Sequence, residues 1–142
     1  MDLAESLAKG IITYFHNRGV KENARLEKYD PPLIFIQGVD FTLNLNGRKL
    51  DVLIVPTHED ERFSQYFEEI STGEIFTTPG FEDIRDGMNK SQYHLRNKRF
   101  YRNGNGGYHF RCQLAAQSEE KIIFGLLSYV IRPVLMHKRV LK

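Results

Sequence analysis

The sequence has no tryptophan and a single cysteine, Cys112. One cysteine excludes an intrachain disulfide and a cysteine-based zinc site. Its position in an alternating apolar stretch reads as a buried, inert thiol. Long apolar runs are also missing. The longest candidate, Ile122 to Leu135, contains Arg132 and Pro133 and falls short of the roughly 20 residues of a membrane helix. Met1 to Glu5 lacks the basic-then-apolar order of a secretory signal. These absences predict a soluble, cytoplasmic chain made in a reducing compartment, with no membrane contact. Neither sign of charge dominates: 20 Lys and Arg against 18 Asp and Glu leave a formal +2, which demands no anionic partner. What is present, 142 residues with 41% hydrophobic content, suffices for one core, so a single domain over residues 1–142 is expected.

Periodicity gives the elements. Asp2 is placed to cap a helix with Glu5 three residues on, and Leu3, Leu7, Ile11 and Phe15 repeat at helical spacing up to Asn17 to Gly19. Val20 to Tyr29 is charged and unpatterned, Pro31 and Pro32 forbid a helix, and Leu33 to Ile36 reads as a short strand. Asn46-Gly47 is a dipeptide suited to a type I′ hairpin loop. That loop sets Leu45 opposite Arg48, Leu43 opposite Leu50, Phe41 opposite Val52 and Val39 opposite Ile54. Three of these four pairs are wholly apolar, so one face of the hairpin is buried. Thr57, with Asp60 in the first turn, opens a helix whose stripe is Phe63, Tyr66, Phe67 and Ile70 and which Gly73 ends; Glu74 to Thr77 reads as a strand.

From Thr78 to Gly107 the periodicity fails, and a long mobile loop is expected there. Tyr108, Phe110, Cys112 and Leu114 then alternate with polar residues as a half-exposed strand. Ser118 caps a final helix that buries Ile122, Ile123, Leu126, Leu127, Val130 and Ile131; Pro133 should end or kink it, and His137 to Arg139 place positive charge at its C-terminal end. The resulting fold class is α+β: a small, mainly antiparallel sheet with helices packed on one face and amphipathic helices at both ends of the chain.

No catalytic motif accompanies this pattern. The glycine-rich run Asn103 to Gly107 has no following Lys-Ser/Thr and does not open a helix, so it is not a phosphate loop. None of the five histidines (16, 58, 94, 109, 137) has metal-ligand spacing, and His58 beside Glu59, Asp60 and Glu61 fits a solvated helix start. Asp40, Lys49 and Asp51 on a hairpin invite comparison with metal-dependent nucleases. The spacing fails, because Lys49 precedes Asp51 and Leu53 stands where the lysine is needed. No catalytic residue, metal ligand or cofactor is expected.

The segment that does stand out is Lys90 to Arg111. Lys90, Arg96, Lys98, Arg99, Arg102 and Arg111 have no acidic residue among them and are interleaved with Tyr93, Phe100, Tyr101, Tyr108 and Phe110. Cations beside stacking aromatics suit single-stranded nucleic acid. They suit better an acidic protein surface, such as Glu82, Asp83 and Asp86 or Glu59 to Glu61 of the same or a neighbouring subunit, and the remaining alternative is plain solvation. Lys90, Arg96, Lys98, Arg99, Phe100, Tyr101 and Arg102 are the candidate contact residues on either reading.

Leu50 to Pro56 running into Thr57 to Phe63, and Tyr108 to Ser118 followed by the helix Glu119 to Leu135, resemble the strand-to-helix passage and the late strand and last helix of tail-terminator proteins of tailed phages. The opening amphipathic helix matches as well. These segments cover about half of the chain and match as patterns of element and hydrophobicity. The strand that follows the last helix in several such proteins has little room in Met136 to Lys142, and the basic segment has no counterpart there. The resemblance implies a structural protein that forms a homohexameric ring at the end of a tail tube or joins it to the neck. It implies other virion proteins as partners, no cofactor and no catalysis, and residence in the host cytoplasm and then the virion. The alternative is a small nucleic-acid-binding module using residues 90–111.

Overall fold

The computed structural model describes residues 2–58, 61–105 and 107–136. Helix α1 (Leu3–His16) opens as expected, with the Asp2 carboxylate accepting from the Glu5 N–H at 2.8 Å. It buries Leu7, Ala8, Ile11, Ile12 and Phe15 and lies across β1 (Ala24–Tyr29), β2 (Pro32–Ile36) and β3 (Val39–Asn46). With β4 (Lys49–Pro56), β5 (Leu95–Arg102) and β6 (Tyr108–Leu114) these strands form one six-stranded sheet in the order β1-β2-β3-β4-β6-β5. Every neighbouring pair is antiparallel. The α+β class and the one-sided helical layer are as the sequence indicates.

Four local expectations are corrected. The unpatterned Val20 to Tyr29 contains β1, an edge strand that buries only Ala24 fully and shifts register between Leu26 and Lys28, which erases its alternation. Glu74–Thr77 is a single 3-10 turn, not a strand, following Gly73 at φ +81°. The β3–β4 hairpin keeps its predicted apolar face, but its register is two residues away: Leu45 faces Leu50, Leu43 faces Val52 and Phe41 faces Ile54. A slip of two preserves the side-chain faces, and the cause is Arg48. Its guanidinium donates to the carbonyls of Leu114 and Ala116, each at 2.6 Å, while its own carbonyl accepts from the Leu114 N–H at 2.8 Å. Held against the end of β6, Arg48 belongs to the turn and Asn46 to the strand. Positive φ then falls on Gly47 alone (+63°), the requirement of a type II′ turn. The type I′ pattern appears one hairpin earlier, at Gln37 (+48°) and Gly38 (+91°) between β2 and β3.

The fourth correction is the largest. Residues 78–107 are not an irregular loop, since they hold helix α3 (Glu82–Lys90) and the whole of β5. The buried side of α3 is Ile84 and Gly87, and a Cβ on Gly87 would stand 2.6 Å from Ser128 Oγ. Part of its packing face is therefore bare backbone, which leaves no apolar stripe to read. Strand β5 is an edge strand broken by a bulge between Arg96 and Arg99, with Asn97 at φ +53°.

Helix α2 (Glu61–Thr72) buries the expected Phe63, Tyr66, Phe67 and Ile70 over β5 and β6. Its proposed start falls partly outside the described residues, at Glu59 and Asp60. Ser118 caps α4 (Glu119–Leu126), which passes through one π-turn (Leu127–Ile131) into α5 (Arg132–Leu135). Pro133 thus sits at the start of a last turn rather than ending the helix, and its carbonyl accepts from the Tyr66 hydroxyl. The basic His137 to Arg139 lies outside the described residues. Between sheet and helices a single core gathers Ile34, Phe41, Val52, Phe110, Leu126 and their neighbours. Cys112 lies in it as expected, its thiol pushed up to about 12 by burial, which keeps it protonated and inert.

Gly47 gives a test of the turn. Open space surrounds the position a Cβ would take, so Gly47→Val adds backbone strain and no clash. The expected loss is roughly 1–2 kcal/mol in thermal or urea unfolding. An unchanged melting temperature would contradict the left-handed conformation.

Candidate functional site

Strand alternation gives the sheet a second face, and no described element covers it. Its rows follow from the pairing. One row runs Leu33, Thr42, Leu53, His109, Tyr101; on one side of it lies Phe35, Asp40, Val55, and on the other Asn44, Asp51, Arg111, Arg99. Leu33, Phe35 and Leu53 are half-buried and Val55 is 45% exposed. The middle of the face is therefore two apolar pairs, Leu33 with Phe35 on β2 and Leu53 with Val55 on β4, separated by Thr42 and Asp40 of β3. Arg25, 4.3 Å above the Phe35 ring, and Lys28 flank it on the β1 side; Arg111 and Arg99 flank it on the β5 side.

The best-organised group on this face is built around Asp51. Arg111 Nε donates to Asp51 Oδ2 at 2.8 Å and the Tyr101 hydroxyl donates to the same oxygen at 3.0 Å. His109 Nδ1 lies 2.8 Å from Asp51 Oδ1. The histidine tautomer follows from the next partner. Asn103 Oδ1 accepts the N–H groups of Asn105 and Gly107, both at 3.0 Å, which directs its amide nitrogen at His109 Nε2, 3.1 Å away. Nε2 must then accept, so the proton is on Nδ1 and points at Asp51. The Tyr101 and His109 rings stack at 4.7 Å with an interplanar angle of 13°. Partial burial raises the Asp51 carboxyl, but the hydrogen bonds from His109, Arg111 and Tyr101 outweigh it, and the pKa lies below the usual carboxylate value.

These groups tie four strand positions into a rigid polar platform. No nucleophile joins the Asp51–His109 pair through any described hydrogen bond. Asp40 and Asp51 share the face but lie four positions apart along the strand direction, about 13 Å at strand rise, too far to share one ion. Among the described residues no three His, Cys, Asp or Glu side chains are grouped to hold a metal. A depression of about 990 Å³ adjoins the platform at the hairpin end, between the start of α1 and Asn44, Lys49, Asp51 and Arg111.

The candidate contact residues of segment 90–102 do not form one surface. Lys90 pairs with Asp86 at 2.9 Å on α3. Lys98 turns back at the bulge, its ammonium donating to the Leu95 and Gln92 carbonyls at 2.7 and 3.1 Å and lying 4.7 Å over the Tyr129 ring; burial lowers its pKa. Phe100 points into the core, 5.5 Å from Phe67 and 4.9 Å from Phe110. Arg102 donates to Ser64 Oγ on α2 at 2.7 Å. Arg99 and Tyr101 stand on the open face, with Arg96 beside them opposite Gln113. Among the described residues no carboxylate pairs with Arg96 or Arg99. The platform's other members, Asp51 and His109, appear in the sequence reading only as a failed nuclease residue and an isolated histidine. The alternation His109, Arg111, Gln113 marks them as one face of a strand, but only the non-local β4–β6 pairing brings Asp51 to them.

Among the described residues no helix is long and apolar enough to cross a membrane. No protein-family model matches this chain, and no curated protein or solved structure matches it either.

Proposed function

We propose that this chain works by protein–protein contact, as a non-catalytic structural assembly domain. The specific form is the one its sequence resembles, a ring-forming protein of the tail-terminator or head–tail joining type. The observation that carries the reading is the face of the six-stranded sheet that no described element covers, where apolar Leu33 and Phe35 on β2 and Leu53 and Val55 on β4 lie between flanking cations. Apolar surface rimmed by charge is the usual anatomy of a protein interface. The Asp51 platform supports it by fixing the positions of Tyr101, His109 and Arg111 before any partner arrives, which lowers the entropy lost on binding. In a ring of such domains, one surface would meet the last tube ring and another the neck, and the contact geometry alone would stop further polymerisation.

A second reading, nucleic-acid binding, is favoured by Arg96 and Arg99 beside Tyr101. It loses weight because Lys90, Lys98, Arg102 and Arg111 are engaged within the chain. Sedimentation and salt titration of DNA binding separate the two. The expected result is a mass of several chains at micromolar concentration, with little DNA affinity at physiological salt. A monomer that binds single-stranded DNA tightly, with a steep negative salt slope, would overturn the assembly reading and establish the second.

A further inference from the structure

The two layers of the molecule carry opposite charge. Residues 61–90, covering α2, the 3-10 turn and α3, contain seven carboxylates and three cations; residues 91–114, covering β5 and β6, contain five cations and no carboxylate. On the acidic side Glu68, Asp83 and Asp86 are exposed. Two of that side's cations are occupied locally: Arg85 donates to the Phe76 carbonyl, and Lys90 pairs with Asp86. On the open face Lys28, Lys49, Arg96, Arg99 and Arg111, with Arg25 paired to Glu27, outnumber Asp40 and Asp51, and Asp51 already holds three donors, so the face is net basic.

These surfaces cannot meet within one chain. Phe67 of α2 packs on Phe100 and Tyr108, side chains of the buried face of the sheet. The exposed carboxylates of α2 and α3 are thus on the helical side, and the arginines are on the opposite side of the sheet. The acidic side also carries exposed apolar groups. Tyr93, just after α3, is 80% exposed, and Phe124, beside Gly87 of α3, is 37% exposed. They have the chemistry to meet Leu53 and Val55 of the open face, so the complementarity extends from charge to apolar contact.

We propose that copies of this chain dock head to tail, the open sheet face of one against the acidic α3 side, with Tyr93 and Phe124, of the next. The contact is heterologous, since two different surfaces meet; repetition closes a ring if the rotation allows and otherwise extends a filament. The inference rests on the assembly reading and assigns it two faces.

Two charge-reversed proteins test it, each checked for a native circular dichroism spectrum and melting curve. One carries Arg96→Glu and Arg99→Glu on the open face; the other carries Asp83→Lys and Asp86→Lys on α3. Each alone is expected to dissociate to monomer at concentrations where the wild type is assembled, its self-association weakened by at least about ten-fold through like-charge contact. An equimolar mixture is expected to regain assembly, because the intact α3 side of the first protein meets the intact open face of the second and the two reversed faces, glutamates against lysines, are complementary as well. Variants that keep the wild-type mass would overturn the head-to-tail assignment while leaving assembly itself standing. A mixture that stays monomeric would also overturn it, in favour of a contact between like faces. A wild type that is monomeric throughout would remove the assembly reading and this inference together.

Discussion

Replacing Phe67 with alanine is expected to destabilise the protein by about 3–5 kcal/mol, the cost of removing a fully buried aromatic ring from a packed site. The ring is 1% exposed and is the hinge of an aromatic chain. It meets Tyr108 edge-on at 4.7 Å and Phe100 at 5.5 Å; Phe63 meets the same Tyr108 at 4.9 Å, and Phe100 meets Phe110 at 4.9 Å. Each edge-to-face pair adds a little to the burial term. Because β5 is an edge strand, it depends on α2 and β6 around Phe100, and the cavity opens where all three meet. A fall in the urea midpoint is the measurement. A loss below about 1 kcal/mol, the scale of an ordinary substitution, would mean that α2 is not packed on the sheet this way.

Asp51→Asn is expected to cost about 2 kcal/mol at pH 7, because the carboxylate accepts charge-assisted bonds that an amide oxygen replaces poorly. The pH dependence has a definite sign. The folded-state pKa of Asp51 lies below the ordinary value of about 3.9. Below that value the unfolded chain takes up a proton that the folded chain resists, so stability rises with pH there. The contribution is complete above about pH 5 and is lost as pH falls through the lowered folded-state pKa. Unfolding free energies of the two proteins should differ by the same amount at pH 7 and pH 5 and converge towards pH 3. A difference that persists unchanged at pH 3 would show that geometry rather than charge holds the platform.

Much of this architecture is legible in the sequence because apolar residues report burial directly. Leu7, Ile11 and Phe15 give α1 with its Asp2 cap; Phe41, Leu43, Val52 and Ile54 give the inward face of the β3–β4 hairpin; Tyr108 to Leu114 gives β6. The errors arise where something other than an apolar side chain does the packing. Arg48 chooses the hairpin register through two carbonyls more than sixty residues away, and no local propensity records that choice. Gly87 offers backbone to Ser128 and hides α3. The bulge at Asn97 interrupts β5 in mid-strand, and its half-exposed edge carries arginines where a central strand would carry valines. The Asp51 platform is hidden for a different reason. Its partners Tyr101, His109 and Arg111 come from the other end of the chain, and they converge only after β6 has inserted between β4 and β5.

The alternation along β5 and β6 also bears on how such a protein changes over generations. Phe100 and Phe110 answer to the interior, while Arg99, Tyr101, His109 and Arg111 answer to whatever the open face meets. Selection for stability and selection for a partner therefore act on interleaved but separate positions of one short segment. Specificity can drift by substitution on the outward positions with the aromatic lock unchanged. Length is the constrained variable: one residue gained or lost within β6 would exchange the two sets and present the core to the partner.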